Sequence, residues 1–218
     1  LAIDEDLAAA GLEALDRGVA ELPQSYALRV QRGYLRLSQG LHAEAEADYR
    51  EATALKPDSE TPKIGLAFVL LQSQRQPEAA KLLEQVLASS QSFFAHYLMG
   101  EVRTREGLDD EAIRNLRKSV DLEPRFGPAR ANLGKLYLKK NETPAAIREL
   151  EAAVKLDPED TTAYYQLSIA YRRTGEKEKA QKALAQVKEL NKEQRELGAT
   201  RFITRKLRKL RSTGGSPF

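Results

Sequence analysis

Residues 127–160 read GPARANLGKLYLKKNETPAAIRELEAAVKLDPED, and this stretch decides the fold. Ala129, Leu133, Leu136 and Tyr137 recur at helical spacing. The break Asn141-Glu142-Thr143-Pro144 follows, and then Ala146, Ile147, Leu150, Ala153 and Val154 make a second apolar stripe. Pro144 stands where the second helix begins, a place that needs no amide donor. Asp157-Pro158 ends it, because the residue before a proline avoids the helical region. The stretch is therefore two helices of about a dozen residues, each too short to be stable alone in water.

Working outward, the same landmarks return at a fixed interval. Pro124 and Pro158 lie 34 residues apart, as do Gly107, Asn141 and Gly175, and Ala112, Ala146 and Ala180. Upstream, Gly33 to Ala67 and Ala45 to Ala79 are 34 apart, whereas Ala67 to Gly100 and Ala79 to Ala112 are 33, so one residue is missing in the turn near Ser89–Ser92. A fixed period of this length marks tandem helical hairpins. The spacing predicts five units, 26–59, 60–92, 93–126, 127–160 and 161–194. Residues 1–25 form a partial N-terminal repeat, of which 11–25 are the second helix of a preceding hairpin ending at Pro23. The remaining residues, 195–218, form a basic C-terminal capping helix and a frayed tail. Gly198 is expected to interrupt the last helix before a final segment, Thr200 to Arg211.

These residues resemble the tetratricopeptide repeat family, whose 34-residue unit carries a small residue and an aromatic in helix A, an alanine and a bulky residue in helix B, and a closing proline. The resemblance extends from Gly11 to Lys192. Leu133-Gly134, Tyr137, Ala146, Leu150, Ala153 and Pro158 carry it in one unit, and Leu167-Ser168, Tyr171, Gly175, Ala180, Leu184 and Val187 in the next. It implies an all-α solenoid wound as a right-handed superhelix. The small residues Gly33, Ala67, Gly100, Gly134 and Ser168 are expected to face Ala45, Ala79, Ala112, Ala146 and Ala180 so that the two helices approach closely. Arg36 and Arg103 replace the tyrosines of other units, and Gln91 and Lys192 replace the closing proline. Looser packing is expected at Arg36 and Arg103.

The resemblance also implies a concave surface lined by the A helices, with the inward positions assigned residue by residue. They include Leu71, Leu98 and Leu138, and the candidate peptide-binding residues are Tyr34, Phe68, Phe94, Tyr97, Arg105, Asn132, Lys135, Lys139, Tyr165, Arg172 and Arg173. Their chemistry divides: aromatic through Tyr34, Phe68, Phe94 and Tyr97, basic through Arg105, Lys135, Lys139, Arg172 and Arg173. The expected partner is a protein or peptide segment with apolar anchors and an acidic stretch. The expected role is a non-enzymatic interaction scaffold or adaptor, with a self-assembly module as the alternative.

Composition narrows the remaining classes. The 218 residues contain no Cys, which excludes disulfides, thiolate metal sites and cysteine nucleophiles. His42 and His96 fall in different units without metal-ligand spacing, and there is no phosphate-binding glycine loop or nucleophile elbow, so no metal, cofactor, small-molecule substrate or catalytic residue is expected. The pairs Asp109-Asp110 and Glu159-Asp160 sit beside helix starts, where they meet the positive end of the helix dipole. No run of about 18 apolar residues suggests a membrane span. Net charge is +3, but residues 192–218 hold eight Lys/Arg against two Asp/Glu, leaving 27 against 30, or −3, elsewhere. Arg201–Arg211 reads as a basic amphipathic helix, with Ile203, Leu207 and Leu210 on one stripe and Phe202 beside it. An adaptor that uses this helix to contact an acidic partner, a membrane surface or nucleic acid is a further alternative, and contact with nucleic acid or a membrane is expected only there. The chain opens with Leu and reads as a processed or partial product, in a bacterial periplasmic or cytoplasmic setting that the sequence does not choose between.

Overall fold

A computed structural model describes the backbone of residues 2–212 and the side chains of residues 7–197. Among the described residues there are eleven α-helices and no strand: α1 (Ala2–Glu21), α2 (Tyr26–Ser38), α3 (His42–Leu55), α4 (Glu60–Gln72), α5 (Gln76–Leu87), α6 (Phe93–Arg105), α7 (Asp109–Leu122), α8 (Gly127–Lys139), α9 (Thr143–Leu156), α10 (Thr161–Arg173) and α11 (Lys177–Ser212). They fall into two compact bodies, one formed by Asp4–Ala129 and one beginning at Arg130. In the first, α2 packs on α3, α4 on α5 and α6 on α7, and α4 also touches the A helices on either side of it, α2 and α6. In the second, α10 packs against both α9 and α11.

Each hairpin turn is made the same way. The residue after the C-cap is left-handed, with φ of 77° at Gly40, 59° at Gln74, 78° at Gly107, 61° at Asn141 and 82° at Gly175. The next amide reaches back to the carbonyl five residues earlier, as in Leu41 to Arg36 at 2.9 Å and Glu142 to Tyr137 at 2.8 Å. The left-handed residue bonds the carbonyl three back, as in Gly40 to Leu37 at 3.0 Å. This pair of bonds is the Schellman motif, which satisfies helix-end carbonyls. Asn tolerates the left-handed region through its short polar side chain, whereas Gln74 has no such excuse.

Close approach inside a hairpin depends on a missing side chain. A Cβ on Gly134 would lie 2.4 Å from Leu150 Cγ, and one on Gly100 would lie 2.7 Å from Leu116 Cγ. The alanines Ala45, Ala79, Ala112 and Ala146 are fully buried, but the glycines lean chiefly on the residue one turn further along helix B. That corrects the expected glycine-to-alanine pairing: side chains on a helix project along its axis, so a leucine covers the turn beside its own Cα. Gly65 makes a second such contact, between hairpins, where a Cβ would lie 2.4 Å from Tyr49 Cε1.

The arginines expected to loosen their units instead fill the space with ion pairs. Asp48, 1% exposed, accepts from Arg32 Nη2 at 2.6 Å and Arg36 Nη1 at 2.8 Å. The same guanidiniums reach Asp16 of α1 at 2.9 and 3.2 Å. Arg103 reaches Glu84 of α5 at 3.3 Å, Glu106 at 2.7 Å and Glu111 at 3.1 Å. At the same repeat register Tyr171 donates its hydroxyl to Glu151 of α9 at 2.5 Å. Asp16, Glu84 and Glu151 are themselves register-equivalent, so a donor on helix A meets an acid on the preceding helix B in each case. At the intervening positions helix B carries Arg50 and Arg117, and the following helix A carries Leu70 and Tyr137 rather than a second arginine.

The two ends differ from expectation. α1 begins at Ala2, well before residue 11, and Gly11 and Gly18 lie against Leu35 and Leu28 of α2. α11 passes through Gly198 without a break. A single glycine costs a helix only about 1 kcal/mol, and its neighbours Glu196, Leu197 and Ala199 are strong helix formers, so no stop signal is present. The side chains of Arg201–Arg211 and the tail after Ser212 lie outside the described residues.

Three outcomes follow from this packing. Gly134→Ala is expected to destabilise the chain by about 1–3 kcal/mol despite alanine's better helix propensity, since Leu150 must move; a chemical denaturation curve reads it. Gln74→Gly is expected to raise stability by about 1 kcal/mol in the same measurement, because the left-handed strain disappears. The third concerns Tyr49, whose burial pushes its phenol up to about 12. Unfolded tyrosine ionises near 10. The unfolded chain therefore loses this proton first, and the stability Tyr49 confers is complete below about pH 10 and lost as the pH rises towards 12. Melting temperature against pH should fall in that window, and less steeply in Tyr49→Phe.

Candidate functional site

Within Asp4–Ala129 the A helices bring together a cluster of five rings. Phe68 on α4 lies 6.4 Å from Phe94 on α6 with planes 25° apart, and Phe94 lies 5.8 Å from Tyr97 with planes 19° apart, so these three are close to parallel. Phe126, just ahead of α8, stands edge-on to Tyr97 at 5.0 Å and to Phe94 at 5.9 Å. Phe93 completes the group 5.2 Å from Phe126. All five rings are half-buried, and those of Phe68, Phe94 and Tyr97 pack against the hydrophobic core. Edge-to-face and offset contacts of this kind favour rigid, preset rings. The Tyr97 hydroxyl donates to Glu101 at 3.0 Å, placing a carboxylate at the margin of the cluster.

Of the aromatic candidates, Phe68, Phe94 and Tyr97 are thus united, whereas Tyr34 on α2 stands outside the cluster and is 69% exposed. Phe93 and Phe126 were not singled out by sequence. The available signals were the Phe93-Phe94 pair at a unit start and an aromatic at Phe126, where other units carry Ser or Asp. Leu71, Leu98 and Leu138, assigned to the inner face, are buried core side chains instead. Helix A is apolar on more than one side, so its inward stripe could not be separated from its hairpin stripe by spacing.

The basic candidates divide by what they bond. Arg105 donates to the Leu71 carbonyl, and Arg173 donates to the Leu138 carbonyl at 2.6 Å and to Asn141 Oδ1 at 3.3 Å. Both carbonyls belong to the last turn of the A helix one repeat earlier, where a cation meets the negative end of the helix dipole. The expected groove cations Arg105 and Arg173 therefore cap helices. Lys139 shares their register and is exposed. Lys135 and Arg172 are exposed on α8 and α10, Asn132 is half-buried, and Tyr165 is 47% exposed.

Groups with catalytic or ligating potential have local uses. His96 Nδ1 faces Asn115 Oδ1 at 3.3 Å between α6 and α7. Asp109 and Asp110 lie in the first turn of α7, and Asp160 caps α10 by accepting from the Ala163 amide at 2.9 Å. Among the described residues no three His, Asp or Glu side chains converge as a metal site, and no helix is long and apolar enough to cross a membrane.

Comparison with known proteins agrees with the repeat register. No curated protein matches the sequence. Among solved structures, a MamA fragment (41-end) from Desulfovibrio magneticus RS-1 is similar with a TM-score of 0.64 at 22% identity, covering 78% of this chain and 96% of its own. YrrB, described as a TPR protein with an unusual peptide-binding site, has a TM-score of 0.60 at 22% identity, covering 82% and 93%. PilF of Pseudomonas aeruginosa has a TM-score of 0.69 at 17% identity, covering 75% of each chain. At these identities the likeness shows the fold, an all-α solenoid. The tetratricopeptide repeat model matches residues 36–100, 106–168 and 140–200, about three quarters of the chain, and the protein belongs to the tetratricopeptide repeat family.

Proposed function

We propose that this chain is a non-enzymatic adaptor that holds a partner segment through apolar anchors seated on the rings of Phe68, Phe94, Tyr97 and Phe126. Membership of the family supports a protein-interaction scaffold role in general. The single observation that carries the finer reading is the aromatic cluster. Rings held rigid by one another lose little entropy when covered, and aromatic side chains are enriched among residues that dominate binding energy. YrrB's described peptide-binding site favours a peptide-like occupant. A micromolar complex needs about −8 kcal/mol, within reach of two or three such anchors after ordering costs.

In the body that begins at Arg130, Lys135 and Arg172 are the basic side chains on the A helices best placed to meet an acidic stretch, since Arg173 is committed to a helix end. This part of the reading is weaker in energy, because exposed ion pairs contribute at most about 1 kcal/mol each.

Pull-down with the native chain, a Phe68→Ala/Tyr97→Ala variant and a Lys135→Ala/Arg172→Ala variant tests both parts. Loss of the captured protein at least about tenfold in the aromatic variant, with its melting temperature lowered by only a few degrees, is the expected result. Unchanged capture together with a large loss of stability would mean that the rings serve the core, and the reading would fall. The basic variant is expected to weaken capture mainly at low salt.

A further inference from the structure

The rings of the cluster include one that breaks a local rule. The A helices α2, α4, α6 and α10 are preceded by Ser25, Ser59, Ser92 and Asp160, all polar N-cap types. Ser25, Ser92 and Asp160 accept from the amides of Leu28, Ala95 and Ala163 at 3.4, 3.3 and 2.9 Å. At the same register α8 is preceded by Phe126, which cannot accept from an amide. A polar cap is worth keeping on stability grounds, so its absence costs the start of α8. What the chain gains there is the ring that stands edge-on to Phe93, Phe94 and Tyr97. Breaks in local consistency collect at functional positions.

Charge identifies an occupant for the face. Asp4–Ala129 holds 15 Lys/Arg against 21 Asp/Glu, a net −6, and residues from Arg130 onward hold 20 against 11, a net +9. The positive excess is densest at Arg201–Arg211, with six cations and no acid, interleaved with Phe202, Ile203, Leu207 and Leu210. α11 carries this stretch as helix, which puts positions 203, 207 and 210 on one face. The preceding residues Asn191–Leu197 are all exposed, so the helix has already left the packed part of its own body there.

We propose that the aromatic face around Phe126 in one copy receives the helical segment Arg201–Arg211 of a second copy. The proposal rests on reading that face as a docking surface, and it names the occupant. The apolar stripe at positions 203, 207 and 210 supplies helix-in-groove anchors for the rings, while the cations are drawn by the acidic body. Such a contact joins two different surfaces, so it is heterologous and propagates head to tail. Nucleic acid would engage the cations but has no use for the apolar stripe. An anionic lipid surface would use both but would leave Phe126 out.

Sedimentation velocity on the full chain over a range of concentrations tests this, with Phe126→Ser to remove the ring and Leu207→Glu to spoil the stripe. Native chain should self-associate, more weakly as salt is raised, and each variant should associate at least about tenfold less well. An equimolar mixture of the two variants should form a dimer that neither forms alone, because one intact face then meets one intact tail. Phe126→Ser should melt within a few degrees of the native chain, since a restored serine cap offsets part of the lost ring contacts. A monomeric native chain, or no dimer in the mixture, would overturn the named occupant. So would tail-dependent binding to phosphatidylglycerol vesicles with association insensitive to Phe126→Ser. If these fail while Phe126→Ser melts within a few degrees of the native chain, only the occupant falls. If Phe126→Ser melts far lower and still associates, the ring belongs to the core, and the docking-face reading falls as well.

Discussion

The structure depends on one close approach, repeated. Gly100 against Leu116 and Gly134 against Leu150 leave no room for even a methyl group between helix A and helix B. Neither helix of a hairpin is long enough to persist in water by itself, so the leucine that fills the glycine's space is also what makes both helices stable. The fully buried alanines beside these leucines keep the same separation along the hairpin. Gly65 against Tyr49 applies the constraint between hairpins, so in the Asp4–Ala129 body it acts in two directions.

Around that contact, the positions that vary do so in matched pairs. Arg36 with Asp16, Arg103 with Glu84, and Tyr171 with Glu151 are alternative ways of satisfying one place on helix A against one place on the preceding helix B. Burying Asp48 between two guanidiniums is tolerable only because four nitrogen-to-oxygen contacts replace its hydration. The helix-capping arginines Arg105 and Arg173 work at a third register position, bonding the last carbonyls of the A helix one repeat earlier. Cations that looked like a binding surface are, in those two cases, the means by which successive A helices are pinned.

Much of this was legible beforehand. Helix starts and stops were announced by Pro144 and Pro158 and by the spaced turn residues, because those signals act within a few residues of chain. The left-handed turn at Asn141 and the small residues of helix A follow from the same local logic. The candidate site was legible only in part. Phe68, Phe94 and Tyr97 could be placed on helix A by register, and Phe93 adjoins Phe94, yet Phe126 joined them through contacts with residues about 30 positions earlier, which no local spacing encodes. Leu71, Leu98 and Leu138 were misplaced because a helix that packs on its hairpin mate and on its neighbours has no single apolar stripe to read.

By itself the amino-acid sequence determined the repeat length, the all-α class, the hairpin boundaries and the identity of the residues too small to replace. Each of these is set by backbone preference or by steric exclusion at a periodic position. Only tertiary structure decided which charges are engaged and which rings share a face. A guanidinium's role is fixed by the carbonyl or carboxylate it can reach, and a ring's exposure by what else packs on it. Those distances belong to the folded arrangement and have no counterpart along the chain.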